Sequence, residues 1–283
     1  MKKIGIIGVG LIGGSMAMDI RNFWQDSTIY GVDSNEQHLK EAQELGVIDH
    51  IASLDALQDA FMIILAIPVD KAIGLLPQLL DQVSDDTLVL DMGSTKAGIC
   101  AAVAHHKNRR NFMACHPIAG TEFSGPKAAH LGLYAGKTNI ICEIEKTAFT
   151  LQERALALFA GIGMRIRYMN AAAHDKHIAY VSHLSHISSF MLGKTVIDKE
   201  KNERDIFDMA GSGFASTVRL AKSNPITWTS IFKQNKTNIL ETLDEYIHNL
   251  EHFKQLMQTD DFEGVHQEMT ETNRIKKILE GID

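Results

Sequence analysis

Lys3-Ile4-Gly5-Ile6-Ile7-Gly8-Val9-Gly10-Leu11-Ile12-Gly13 reads as a short apolar strand that runs directly into a G-x-G-x-x-G turn. In that turn Gly8 permits the tight bend, Gly10 lets the backbone approach a pyrophosphate, and Gly13 lets the next helix pack close to the strand. Leu11 and Ile12 open that helix, whose free N–H groups and dipole favour a phosphate at its amino end. A second apolar run, Thr28-Ile29-Tyr30-Gly31-Val32, ends at Asp33, twenty residues beyond Gly13, where an acid meets the ribose hydroxyls of an adenosine. Ser34-Asn35 follow instead of an arginine, and the Asp33 carboxylate repels a 2′-phosphate. The expected cofactor is therefore NAD.

The composition suits a soluble enzyme. The 283 residues are 45% hydrophobic and 22% charged, enough for one large or two ordinary domains with real cores. Twenty-eight basic residues against 35 acidic ones give a formal net charge of −7, and no basic tract interrupts the chain, so nucleic acid is not an expected partner. Lys2-Lys3 ahead of an apolar stretch superficially resembles a signal peptide, but the stretch is filled with turn glycines and continues into Asp19 and Arg21. No run of about eighteen apolar residues offers a membrane span. Cys100, Cys115 and Cys142 are odd in number and lack C-x-x-C spacing. They read as buried thiols, and the expected location is the cytoplasm.

Beyond Asp33 the first half alternates short apolar runs with helical periodicity, the pattern of a doubly wound sheet. Phe61 to Ala66 is the clearest strand. Ile67-Pro68 stops it, and a helix is expected over Val69–Leu80, so Ala66 and Pro68 belong beside the cofactor. Thr87 to Asp91, Phe112 to Cys115, Thr138 to Glu143 and Met164 to Tyr168 complete the expected strands, with a helix near Phe149–Ala160. In Gly93-Ser94-Thr95-Lys96, Ser94 is placed to cap the helix that follows. After Asn170 only helical periodicity remains: about Ala171–Val196, Asp205–Ala210, Pro225–Leu250 and Asp260–Leu279. The expected architecture is α/β: a Rossmann-type domain over 1–168 and an all-helical domain over 169–283. A helical half with apolar residues on several faces is expected to pair with a second copy as a homodimer.

His116 stands where the Phe112–Cys115 strand runs out. The carboxyl ends of strands in such a sheet form the ligand crevice, so a titratable side chain there faces whatever lies beside the cofactor. In the first helix of the second half, a regular ~100° per residue places Ser182, Ser185, His186 and Ser189 on one polar strip, with His183 turned away and His174 and His177 on further faces. These four histidines do not converge and no carboxylate completes a set, so no metal is expected. Arg219 can hold a carboxylate with two parallel hydrogen bonds.

Gly8 to Ser15, Asp91-Met92-Gly93-Ser94-Thr95-Lys96, His116-Pro117-Ile118-Ala119-Gly120-Thr121-Glu122-Phe123-Ser124-Gly125, Ser182-His183-Leu184-Ser185-His186 and Arg219 to Trp228 occur in the order seen in prephenate dehydrogenases. The chain resembles that family over essentially its whole length, and His-Pro-Ile-Ala-Gly is the specific element. The resemblance implies NAD-dependent oxidative decarboxylation of prephenate to 4-hydroxyphenylpyruvate on the way to tyrosine. By the same resemblance, His116 is the catalytic histidine at the substrate's ring hydroxyl, and Ser94 positions both it and the nicotinamide. Arg219 resembles the carboxylate anchor, His186 and Ser182 match pocket positions, Trp228 matches a residue that can reach across the dimer, and Glu122 lies near that interface.

A neutral imidazole suits the chemistry, because the hydroxyl proton becomes acidic as hydride leaves the carbinol carbon. Aromatisation drives the loss of carbon dioxide, so neither metal nor covalent intermediate is required. This chain departs from the pattern at Ala215 and Ser216, where relatives often carry a basic and an acidic residue, and it stops at Asp283 without the regulatory domain some relatives append. Arogenate, with an amino acid in place of the keto acid, is an alternative substrate. A β-hydroxyacid dehydrogenase and a non-catalytic NAD-sensing module are the readings from other classes.

Overall fold

The computed structural model describes residues 1–201, 203 and 205–280. Eight strands form one sheet: β1 (Lys2–Ile7), β2 (Ser27–Val32), β3 (His50–Ile51), β4 (Met62–Leu65), β5 (Leu88–Asp91), β6 (Phe112–Pro117), β7 (Thr138–Cys142) and β8 (Arg165–Met169). Their spatial order is β3-β2-β1-β4-β5-β6-β7-β8. Every pairing is parallel except β6 with β7. The strand order reverses between β1 and β4, and the crevice outside the carboxyl ends there is where such sheets take ligands. The two-residue β3 was not anticipated from the sequence. It forms one edge, while the other edge, β8, carries the exposed Arg165 and Arg167, charges of the kind that discourage edge-to-edge pairing.

Alternation along the strands divides the core into two faces. Ile4, Ile6, Met62, Ile64, Leu88, Leu90, Met113, Cys115 and Ile141 point to the side covered by helices α1 (Leu11–Phe23) and α5 (Phe149–Gly161), where Met16, Ile20, Leu151, Leu158 and Phe159 meet them. Ile7, Ile63, Leu65, Val89, Phe112 and Ala114 point the other way. There they meet Leu76 and Leu79 of α3 (Val69–Gln82), Ile99 of α4 (Ala97–Ala102) and Ala171 of α6 (Ala171–Ile178). Each fully buried side chain of this size is worth roughly 1.5–3 kcal/mol. His116 shares the parity of Phe112 and Ala114, so the pleat directs it toward α4 and α6.

The expected helix from Ala171 is continuous to Glu200, but a π turn over Ala179–His183 divides it into α6 and α7 (Leu184–Glu200). After it come α8 (Ser212–Thr217) and α9 (Pro225–Gln234). Two of the expected long helices are broken. The segment from Pro225 is interrupted at Asn235 before α10 (Lys236–Gln258), and the last one becomes α11 (Phe262–Thr272) and α12 (Ile275–Leu279). Around Asp205–Ala210 only a short 3₁₀ turn forms, Phe207–Met209. By compactness the chain divides into 1–236 and 237–283.

Two of the fingerprint glycines leave no room for a side chain. Gly8 has φ +94°, and a Cβ there would sit 2.4 Å from the Ala66 carbonyl oxygen. At Gly13 a Cβ would fall 1.9 Å from the Gly8 oxygen, a collision between backbone atoms that no rotamer change relieves. We therefore expect Gly13→Ala to cost about 1–3 kcal/mol by overpacking and to weaken dinucleotide binding. Denaturation and NAD titration measure both, and an unchanged midpoint would show that helix and strand can separate freely.

Candidate active site

The residues at the amino end of α1 fit a dinucleotide. Gly10 caps the helix without a side-chain hydrogen bond, and the first turn holds no acid, so its N–H groups are free for phosphate. A Cβ at Gly10 would meet nothing nearer than the Gly125 nitrogen at 3.9 Å, which leaves the space a pyrophosphate needs. Asp33 accepts hydrogen bonds from Val9 N (3.1 Å) and Asn35 N (2.9 Å), tying the end of β2 to the glycine turn. Leu11 and Ile12 begin α1. Ala66 N donates to Ile7 O at 2.8 Å, and the exposed Pro68 caps α3.

Across the crevice, β6 delivers His116 to a buried histidine of α6. His116 Nδ1 lies 2.8 Å from His174 Nε2, and His174 Nδ1 lies 2.7 Å from Asp175 Oδ1. Asp175 also accepts from Lys96 N (2.7 Å, on Oδ1) and Ala97 N (2.9 Å, on Oδ2). Helical spacing explains the placement. Ala171, His174, Asp175 and Ile178 are the buried residues of α6, and i, i+3, i+4, i+7 is one helix face. The residue that caps the helix after β5 is thus Asp175 from a remote segment. Ser94, expected in that role, makes no hydrogen bond among the described residues; it sits three residues past the end of β5, whose Asp91 pairs with Ala114 in the strand that carries His116.

The π turn changes which side of the following helix is inside. His183, expected to point away, is fully buried, and His186 and Ser189 are buried with it. Ser185 is exposed and Ser182 only partly buried, so the four-residue polar strip does not form. The wide turn adds a residue between Ile178 and His183, rotating α7 about its axis relative to α6. His186 Nδ1 donates to the Ser182 carbonyl at 3.0 Å, and its ring stacks on Trp228 with centroids 3.3 Å apart. Ser189 Oγ donates to Thr217 O and accepts from Ala221 N, clamping the turn that carries Arg219. Arg219 Nη1 is 3.0 Å from Glu122 Oε2. Trp228 is brought in by α9, anchored where Ser230 Oγ donates to Asp70 Oδ1 at 2.6 Å and accepts from Asp70 N.

Several participants had no signal in the sequence that distinguished them. Lys96 is completely buried and paired with Asp91, whose other oxygen accepts from Gly93 N at 2.8 Å. Asn235, at the helix break, donates to the Asp175 carbonyl at 2.6 Å and lies 3.1 Å from His183 Nδ1. His174-Asp175 was visible as a dipeptide one turn into a helix whose Asn170 cap could be read from the sequence.

Burial dominates the electrostatics. It holds His116 well below the usual histidine value of 6.5, with His174, Lys96 and His183 adding to the effect. It pushes His183 down to about 4 against the opposing pull of Asp175. His186 is lowered as well, by burial first and then by Arg219, against the hydrogen bond to Ser182.

A Rossmann sheet whose carboxyl edge meets a helical segment carrying the buried His174, His183 and His186 defines a nucleotide-binding dehydrogenase with a second, helical half. Residues 16–168 match the family model for the nucleotide-binding domain of prephenate dehydrogenase, and residues 170–271 match the model for its dimerization domain. The chain is 31% identical to the prephenate dehydrogenase of Lactococcus lactis subsp. cremoris, over 99% of this chain and 78% of that protein. Its structure is similar to that of A. aeolicus prephenate dehydrogenase in complex with hydroxyphenyl propionate and NAD+, with TM-score 0.89, 32% identity and coverage of 100% and 99% of the two chains. Synechocystis arogenate dehydrogenase is also similar, with TM-score 0.76, 26% identity and coverage of 97% and 99%. The chain belongs to the prephenate dehydrogenase family.

The buried Asp91–Lys96 pair gives a direct test of what supports this edge of the sheet. Lys96→Met strands a buried carboxylate and is expected to cost about 3–5 kcal/mol, whereas the double variant Asp91→Leu, Lys96→Met recovers much of that loss. Equal destabilisation of both variants in urea unfolding would show that the pair matters through packing instead of charge.

Proposed function

We propose that the protein catalyses NAD-dependent oxidative decarboxylation of prephenate to 4-hydroxyphenylpyruvate, in tyrosine biosynthesis, with His116 as the proton acceptor. The observation that carries this reading is the position of the buried His116 at the carboxyl end of β6, in the sheet whose β1 runs into the glycine turn, with Nδ1 2.8 Å from His174. NAD, when bound, supplies the hydride acceptor. His116 takes the ring hydroxyl proton as that hydroxyl becomes acidic, and returns it to the phenolic oxygen once carbon dioxide has left. Ser94 lies at the end of the neighbouring strand to orient the hydroxyl and the nicotinamide. Gly8, Gly10, Leu11, Ile12 and Gly13 hold the pyrophosphate, Asp33 the ribose, and Ala66 and Pro68 border the nicotinamide side.

The helical half supplies the anionic end of the site. Arg219 binds a substrate carboxylate; its guanidinium has donors enough to keep Glu122 as a partner. His186, Ser182 and Trp228 line the substrate's side chain. In this reading residues 1–168 are the dinucleotide-binding domain and 169–283 the substrate-binding and dimerisation domain, working in the cytoplasm. Among the described residues no helix is long and apolar enough to cross a membrane.

Helix α7 supports a homodimer. Its His186 and Ser189 are buried, while Met191, Leu192 and Ile197 are exposed, the inverse of the helix of a free-standing monomer. An outward apolar face of this kind is normally covered, here by a second copy. Sedimentation is expected to give twice the chain mass, and Ile197→Glu to shift it toward the monomer. A monomeric wild-type protein would overturn the assembly.

NADH formation assayed with prephenate, L-arogenate and a panel of hydroxyacids tests the activity: prephenate is expected to be turned over, and activity confined to hydroxyacids would refute the reading. His116→Asn is expected to lower kcat by about 10²–10⁴-fold with little change in NAD affinity. Because burial lowers the histidine's pKa, the active neutral form persists to lower pH. The acid limb of kcat/KM should accordingly fall well below 6.5.

A further inference from the structure

We infer that Asp175 and His174 form a positioning pair that fixes the tautomer of His116, placing its proton on Nδ1 and its lone pair on Nε2. The inference rests on the reading of His116 as proton acceptor and specifies which nitrogen acts and what selects it.

The assignment follows from donors and acceptors taken in order along the chain of contacts. Both oxygens of Asp175 accept backbone N–H groups, from Lys96 and Ala97, and a backbone N–H can only donate. The carboxylate therefore meets His174 Nδ1, at 2.7 Å, as an acceptor, and that nitrogen carries a proton. With that proton on Nδ1, we assign His174 the tautomer with a single N–H, whose Nε2 presents a lone pair. The group 2.8 Å away, His116 Nδ1, must then donate. With its single proton directed into the protein, His116 is left with an unprotonated Nε2. That nitrogen has no hydrogen-bond partner among the described residues and is not one of the atoms sealed from solvent. It is the open edge of an otherwise buried ring.

Geometry makes this arrangement rigid. The 2.7 Å and 2.8 Å contacts run through two rings held edge to face, with centroids 5.0 Å apart and planes at 69°. Asp175 is held at two more points, by the α4 amino end through its carboxylate and by Asn235 through its carbonyl. Without this pair the His116 ring could flip or exchange tautomers, and in half of those states a proton would face the substrate hydroxyl where a lone pair is required.

Long-range ¹H–¹⁵N spectra of the full-length protein with ¹⁵N-labelled histidine read the tautomer without any turnover. His116 is expected to show a pyridine-type Nε2 and a pyrrole-type Nδ1. In assays, His174→Phe and Asp175→Asn are expected to lower kcat by about 10–100-fold, the size of effect seen when groups that orient metal-bound histidines are removed, while KM and NAD affinity stay near wild type. His174→Gln, whose carbonyl can accept from His116 while its amide donates to Asp175, should recover most of the rate. A protonated His116 Nε2, a doubly protonated His174, or wild-type kcat in both His174→Phe and Asp175→Asn would overturn the inference. Absence of prephenate turnover by the wild-type protein would instead refute the proposed activity, with the spectra still deciding the tautomer.

Discussion

The carboxylate of Asp175 is shared between two parts of the chain that the sequence separates by nearly eighty residues. One oxygen accepts Lys96 N and His174 Nδ1, and the other accepts Ala97 N. An unsatisfied helix amino end is thereby capped from outside, by the first helix after the sheet. The same contact fixes the distance between β6, which bears His116, and α6, which bears its partner. A loop cap such as Ser94 would have satisfied the helix equally well but would have left the sheet and the helical half independent. Capping with a residue of α6 makes the site a condition of the fold.

That arrangement stands in a region from which water is largely excluded, and the charges nearby are managed accordingly. Lys96 and Asp91 are buried together, with Gly93 N completing the carboxylate's partners. A buried pair gains little over an apolar replacement, but leaving either member alone is expensive. Burial lowers the pKa of His116, His183 and His186 around the pair, which disfavours further buried charge. Arg219, half-exposed, is paired with Glu122. The buried charges of the site are thus held by partners: Asp91 with Lys96, and Asp175 by the α4 amino end and His174.

The first half of the molecule was legible because two regular signals agree there. The glycine turn requires backbone approaches that only Gly8 and Gly13 permit, and strand alternation determines the parity of each residue in β6, including His116. In the second half the periodic signal was misleading at the point that matters. A regular helix places His183 outside, and the one-residue excess of the π turn over Ala179–His183 brings it inside. No pattern of apolar spacing marks such a turn. Asn235 was hidden for a related reason: the periodicity on both sides of it is unbroken, and the interruption follows from contacts with Asp175 and His183 that are remote in sequence. In sequence His174 is one histidine among four, since its meaning depends on a strand end that only the fold brings within 2.8 Å.

In the proposed reaction His116 would be a base whose pKa burial has depressed, intrinsically a weak one and at first sight unsuited to removing a proton from an alcohol. The reaction removes the difficulty. The hydroxyl of a cyclohexadienol is a poor acid before oxidation, but it becomes strongly acidic as hydride departs, so the proton need be accepted only when acceptance has become easy. What the site must provide beforehand is a lone pair in the right place, and an uncharged one, because a cationic imidazole there would repel the positively charged nicotinamide ring. Depressing the pKa keeps the ring uncharged over a wide pH range. Burial alone cannot choose between the two nitrogens of a neutral ring. That choice needs a fixed acceptor behind Nδ1, and His174, itself oriented by Asp175, provides it.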